Sequence, residues 1–197
     1  MKAYVIEDGK LQLRNVQEPS VTSEEHVLIK VAAFALNRAD LLQIEGLYPS
    51  PDNNNIPGLE VYGINEETGE RVAALLRSGG YAEYVVADKK HIIHIPEFMD
   101  DAAAAASLPE ALVTCWLNLF KLGDIQNAET VLVHGATSGI GSTAVQIANI
   151  LGKKVYCTIG SDKKLERAKF KLNAQNIYNY NSTNWAEDIK EQGGVDL

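Results

Sequence analysis

The stretch Thr130–Leu151 constrains this chain more than any other. Thr130-Val131-Leu132-Val133-His134 is an apolar strand, and a glycine-rich turn follows it at once. A run without polar alternation belongs to a strand buried on both faces, as parallel sheets require. The turn His134-Gly135-Ala136-Thr137-Ser138-Gly139-Ile140-Gly141 opens a helix predicted over Ser142–Leu151 and stopped by Gly152. Val155–Ile159 reads as a second buried strand, Lys163–Leu172 as a helix, Asn176–Tyr180 as a third strand and Asn184–Gln192 as a helix. Strands and helices in alternation wind a parallel sheet. Val195-Asp196-Leu197 reads as the start of a fourth strand. Ending there leaves an open sheet edge and about half of a doubly wound dinucleotide fold, so a fragment is expected.

The chain changes character near residue 100. Before that point, short apolar and β-branched segments alternate with turn residues: Ala3–Ile6, Leu11–Val16, Val27–Val31, Arg71–Leu75, Tyr81–Val86 and Ile92–Ile95. Helical spacing is confined to one turn at Arg38–Glu45, and Asn53-Asn54-Asn55 reads as a polar loop tip. This half is a small all-β domain, expected to be a partly open barrel. Asp100 and Asp101 can cap the run Ala102–Ala106, because a carboxylate at a helix start accepts unpaired backbone N–H groups. Pro109 suits the first turn of the next helix, over 109–121, with Gly123 beyond its end. The predicted class is α/β with an all-β N-terminal domain, divided into residues 1–106 and 107–197.

Composition removes several functions. With 18 Lys and Arg against 26 Asp and Glu, the net charge of −8 repels phosphate backbones and disfavours nucleic-acid binding. The basic segment Lys163–Lys171 keeps RNA contact as an alternative. No apolar run approaches the ~20 residues that cross a bilayer. The N-terminus carries charges where a signal peptide needs an apolar stretch, so a cytoplasmic protein without a membrane partner is expected. Cys115 and Cys157 have no ligand-like spacing, and Cys115 is expected to pack its helix against the sheet. His91 and His94 on one strand would point to opposite faces, and no metal site is predicted. His134 is expected to be a hydrogen-bonded packing residue.

The glycine turn carries the chemistry. A phosphate must approach backbone N–H groups at a helix N-terminus, and side chains at 139 and 141 would obstruct it. The strand–turn–helix–strand context makes this a dinucleotide site. An NAD site usually places a carboxylate at the end of the second strand, for the ribose 2′-hydroxyl. Here the strand ends Thr158-Ile159-Gly160-Ser161-Asp162-Lys163-Lys164. Gly160 and Ser161 leave room for a 2′-phosphate and the lysines can neutralise it, so NADPH is expected over NADH. Asp162 opposes this if it points inward. The glycine spacing also matches short-chain dehydrogenases, but no tyrosine has a lysine four positions later.

The sequence resembles the quinone oxidoreductase (zeta-crystallin-like) branch of the zinc-independent medium-chain dehydrogenase/reductases. The likeness runs through Ala35-Leu36-Asn37-Arg38-Ala39-Asp40-Leu41-Leu42, Gly46-Leu47-Tyr48-Pro49, Ile56-Pro57-Gly58-Leu59-Glu60, Gly79-Gly80-Tyr81-Ala82-Glu83-Tyr84-Val85 and Leu108-Pro109-Glu110-Ala111. It continues through the glycine turn and Gly160-Ser161-Asp162-Lys163-Lys164-Leu165, and so covers the chain from Met1 to Leu197. The resemblance implies a GroES-like barrel followed by the first half of a Rossmann domain. Zinc-dependent relatives have Cys at the place of Asn37 and His at that of Leu59, and carry a four-cysteine lobe, so a metal-free site is implied.

The resemblance also implies roles. Asn37 and Tyr48 border nicotinamide and substrate, Thr114 contacts the nicotinamide, and Ser138, Gly139, Ile140 and Gly141 hold the pyrophosphate. Lys164 meets the 2′-phosphate, and Tyr180 lies by the adenosine. The implied activity is hydride transfer from NADPH to a quinone or an α,β-unsaturated carbonyl, with a homodimeric full-length form. The alternatives are a non-catalytic nucleotide-binding, crystallin-like or RNA-binding protein, or an inactive fragment of such an enzyme. Relatives run longer between Gly63 and Arg71, and the shortening is expected to remove most of a barrel strand.

Overall fold

The structure, a computed structural model, describes residues 1–50 and 54–197, so Asn53 of the expected loop tip lies outside the described residues. It divides into two compact units, Met1–Glu110 and Ala111–Leu197.

In the first unit, β1 (Lys2–Glu7) and β2 (Lys10–Asn15) form a hairpin. Its turn, Asp8-Gly9, has φ of 50° and 69°, the pair of positive values that a two-residue turn needs between right-twisted strands. The main sheet contains β3 (His26–Phe34), β4 (Glu60–Asn65), β5 (Arg71–Leu75), β6 (Tyr84–Asp88) and β7 (Ile92–His94). Their order is β6-β3-β4-β5-β7, with antiparallel pairs throughout. A short helix, α1 (Arg38–Ile44), follows β3. One face of the sheet buries Ile29, Val61, Val72 and Ala74 completely. The other face packs Tyr62 and Ala73 with Ala105 and Ala106 of α2 (Ala102–Ala106). As expected, Asp101 caps α2, its Oδ1 accepting from Ala103 and Ala104 N–H at 2.9 and 3.1 Å.

β4 is a strand that the alternation does not reveal. It lies between β3 and β5 and five of its six residues are buried, so no polar face breaks the pattern. The shortened stretch costs no strand. Asn65 N–H donates to Glu70 O at 3.0 Å and Gly69 N–H to Asn65 O at 2.8 Å, with Gly69 at φ 73°, which closes a tight connection from β4 to β5.

In the second unit, β8 (Thr130–Val133), β9 (Lys154–Ile159) and β10 (Asn176–Asn179) form a parallel sheet in the order β10-β9-β8. The crossover from β8 to β9 is a helix over Gly139–Ile150. It starts at Gly139 rather than Ser142, because Ser138 supplies the cap. Val131, Val133, Val145, Ala148, Cys157 and Ile159 fill the core between helix and sheet. The predicted helix over 109–121 keeps α geometry over Pro109–Cys115 and then widens to π winding over Trp116–Leu122, where Trp116 and Phe120 stack with centroids 4.3 Å apart. The predicted helix Lys163–Leu172 is likewise mixed, with a 3₁₀ turn at Asp162–Lys164 and π winding over Arg167–Lys171. A last helix spans Trp185–Glu191. Val195–Leu197 does not form the expected fourth strand, although these residues bond to β8: Leu132 N–H donates to Leu197 O at 2.7 Å, and Asp196 Oδ2 accepts from Glu129 and Thr130 N–H at 2.9 Å each.

Candidate functional site

β8 and β9 are parallel neighbours with Val133 opposite Cys157, so the turns that follow them emerge side by side at the C-terminal edge of the sheet. In open α/β folds that edge is where ligands bind. The turn after β8 is held from β9 by Thr158, a fully buried residue that the sequence does not single out. Its Oγ1 accepts from Gly135 N–H at 3.2 Å and lies 3.1 Å from His134 Nδ1, and its carbonyl accepts from Ala136 N–H at 2.9 Å. His134 is therefore hydrogen-bonded as expected but exposed rather than packed inside, edge-on to Trp185 at 5.1 Å.

Ser138 caps the helix Gly139–Ile150, its Oγ accepting from Gly141 N–H at 2.9 Å. The two glycines serve different ends. A Cβ on Gly141 would run into the Gly135 carbonyl and backbone of Ala136, so this glycine is required by the close crossing of helix and turn. A Cβ on Gly139 would meet nothing within 4 Å. That open space adjoins the N–H groups of Gly139 and Ile140, which begin the helix and have no intrahelical carbonyl to bond. A backbone cradle that a side chain would fill, at a helix N-terminus, suits a diphosphate.

After β9, the room left by Gly160 is taken by Tyr180, whose hydroxyl lies 2.5 Å from where a Cβ would be. Tyr180 follows β10 directly, its N–H donating to Ile159 O at 3.1 Å, and stays half exposed. Gly160, Ser161 and Tyr180 thus form one surface, with the exposed Lys164 one helical turn on; Lys164 N–H donates to Ser161 O at 3.0 Å. Asp162 is engaged by Asn179 Nδ2 at 2.7 Å. Thr114 is half-buried, and its neighbour Cys115 donates Sγ–H to Ile140 O at 3.4 Å, so this helix runs beside the glycine turn. Burial raises the Cys115 thiol and pushes that of Cys157 up to about 11, which keeps both neutral within the core.

In the first unit, Asn37 and Tyr48 flank α1, a helix about 10 Å long, so the structure sets them at its opposite ends. Tyr48 is exposed, its N–H donating to Leu42 O at 3.2 Å. Asn37 belongs to a buried network that the sequence does not announce. Its Nδ2 donates to Glu60 Oε1 at 2.8 Å and its backbone N–H to Asp40 Oδ2 at 2.6 Å. Glu60 Oε2 accepts from Glu110 N–H at 2.8 Å, and Asp40 Oδ2 also accepts from Tyr81 Oη at 2.9 Å. Glu60 and Asp40 are each 2% exposed. The Tyr81 hydroxyl is pushed well above its usual range by burial and by the Asp40 carboxylate. Among the described residues no cluster of three or more His, Cys, Asp or Glu side chains could hold a metal, and no helix is long and apolar enough to cross a membrane.

Burial raises the Glu60 pKa above the ordinary carboxylate value, against the N–H bonds from Glu110 and Asn37 that lower it. A group whose pKa is higher folded than unfolded stabilises fully below the unfolded value and loses that contribution as pH rises through the folded one. In urea unfolding from about pH 4 to 8, wild-type stability minus that of Glu60→Gln is expected to fall and then level off. A difference that grows with pH would reverse the sign.

Known proteins share this architecture. The sequence profile for the alcohol dehydrogenase GroES-like domain matches residues 23–97, and that for zinc-binding dehydrogenases matches residues 139–197. The quinone oxidoreductase of Thermus thermophilus, solved also with NADPH, superposes with a TM-score of 0.86 at 34% identity, over 100% of this chain and 65% of that one. Human quinone oxidoreductase is 30% identical over 202 residues, covering 95% of this chain and 60% of the human protein. The CurK enoyl reductase superposes with a TM-score of 0.83 at 27% identity, over 98% of this chain and 64% of that one. This chain therefore spans under two thirds of the length of each. On these two matched segments and these relatives, the chain belongs to the quinone oxidoreductase-like medium-chain dehydrogenase/reductases.

Proposed function

We propose that this chain carries the substrate-facing and nucleotide-binding parts of an NADPH-dependent oxidoreductase that reduces quinones or α,β-unsaturated carbonyls without a metal. One observation carries the reading: the space at Gly139, lined by the first N–H groups of a helix and empty of protein atoms. NADPH supplies the hydride when bound. The chain's own work is to bind, orient and exclude water. Gly139 and Ile140 N–H groups, with Ser138 and Gly141 fixing the turn, hold the diphosphate. Ser161 and Lys164 take the 2′-phosphate beside Gly160, and Tyr180 flanks the adenosine. Thr114 faces the nicotinamide, and Asn37 and Tyr48 border the acceptor. Solved relatives described as a quinone oxidoreductase and an enoyl reductase support these two acceptor classes.

The metal-free reading rests on chemistry at two positions: Asn37 offers an amide already bound to Glu60, and Leu59 an alkyl chain. A cytoplasmic location and, as the resemblance implies, a homodimeric full-length form complete the proposal. Parallel fluorescence titrations with NADPH and NADH test binding, and NADPH oxidation with a simple quinone tests turnover. Tighter binding of NADPH with quinone-dependent oxidation is expected. Because the chain spans 60% of the human protein, a second reading is binding without turnover; NADPH binding with no oxidation by any quinone or enone selects it.

A further inference from the structure

The buried network around α1 does more than satisfy a loop. An asparagine amide on an exposed loop rotates freely, yet Asn37 is held at both ends by separate buried carboxylates. Its backbone N–H is fixed by Asp40 Oδ2 at 2.6 Å and its side-chain Nδ2 by Glu60 Oε1 at 2.8 Å. Both Glu60 oxygens face N–H donors, since Oε2 takes the Glu110 N–H at 2.8 Å. Only the ionised carboxylate accepts at both oxygens without giving one up to a proton. An acceptor-only group also decides the amide's orientation, because Nδ2, not Oδ1, must face it. Asp40 is fixed in turn by Tyr81 Oη at 2.9 Å, and the Tyr81 ring by stacking on Phe34 at 4.4 Å. Each support is thus anchored to the sheet rather than to the loop.

We propose that Glu60 is a positioning residue for Asn37: its carboxylate selects the amide orientation that the site uses and ties that loop to the first turn of the helix starting at Pro109. The inference rests on the reading of Asn37 as a residue bordering the acceptor. Glu60 itself touches neither acceptor nor nucleotide in this scheme. Its loss acts on the rate of hydride transfer and leaves nucleotide affinity alone.

The test has two arms. In the ¹⁵N spectrum of the intact chain, the Asn37 side-chain NH₂ pair is identified by its loss in Asn37→Asp. In wild type that pair is expected to be shifted from the free-amide position and slow to exchange. In Glu60→Gln, which keeps the volume but has one acceptor oxygen, the pair is expected to move toward the free position and exchange about tenfold faster or more. An unmoved pair in folded Glu60→Gln overturns the proposal. Should Glu60→Gln fail to fold, Glu60→Asp, which is one methylene shorter, gives the same readout. In the second arm, quinone reduction is expected to fall about 10- to 100-fold in kcat with the KM for NADPH unchanged. Asn37→Ala is expected to lose as much, and the double variant no more than either. Additive losses overturn the proposal. Absence of turnover in wild type instead removes the functional reading, and the amide spectrum then decides the role of Glu60.

Discussion

Replacing Gly139 with valine is expected to abolish binding of NADPH and NADH alike, while the melting temperature stays that of the wild type. A Cβ at this position meets nothing within 4 Å, so the added branch starts in open space. It fills the space from which a diphosphate would reach the Gly139 and Ile140 N–H groups. Losing two hydrogen bonds to a charged group costs about 3–6 kcal/mol, a rise in Kd of about two orders of magnitude or more. Gly141→Ala makes the opposite prediction. Its Cβ meets buried backbone at Gly135 and Ala136 that cannot swing away. Overpacking of this kind costs about 1–3 kcal/mol or more, and a domain of this size loses about 4–8 °C for each kcal/mol. Thermal unfolding beside nucleotide titration separates the two. Normal binding by Gly139→Val would move the diphosphate elsewhere, and an unaltered melt in Gly141→Ala would contradict the close crossing.

Lys164→Glu is expected to spare NADH and to weaken NADPH selectively. Lys164 is exposed one turn beyond β9, and the proposed site sets its ammonium against the 2′-phosphate that NADH lacks. A charge-assisted bond is worth about 1.5–3 kcal/mol, so affinity for NADPH falls about 10- to 100-fold, with repulsion by the new carboxylate adding to it. For NADH the change stays within about threefold, the scale of an exposed charge. Raising the salt narrows the wild-type preference by screening the same interaction. Titrations of both nucleotides at low and high salt check this; equal losses for both would remove the phosphate assignment. Asp162 keeps its charge next to this lysine, with Oδ1 accepting from Asn179 Nδ2 at 2.7 Å, and opposes the preference rather than supporting it.

The parts of this protein legible in the sequence are those whose cause is local. Gly135 needs a left-handed backbone at φ 64°, Gly141 needs a missing Cβ, and Asp8-Gly9 needs two positive φ values, and each shows as a residue choice at its own position. The apolar run of β9 announced a strand buried on both faces, and Asp101 announced the start of α2. β4 stayed hidden because a central strand buried on both sides has no alternation and its Gly63 reads as a breaker. That glycine is there because a side chain would strike the Lys30 carbonyl of β3, a contact that no local pattern contains. The π winding after Cys115 left no mark in the spacing either, since apolar residues at three- and four-residue intervals suit both windings. The role of Gly160 was likewise settled at a distance, by the Tyr180 hydroxyl arriving from the next strand.

Local residue choice sets the order of an all-β half and a strand–helix half, and the glycine turn that opens a helix. Tertiary structure alone decided the setting of Asn37. Glu60 and Tyr81 reach it or its Asp40 partner across 23 and 41 positions of chain. Periodicity and capping act over a few residues, whereas a buried carboxylate takes whichever donors the packed sheet brings within 3 Å, and only the folded chain specifies them.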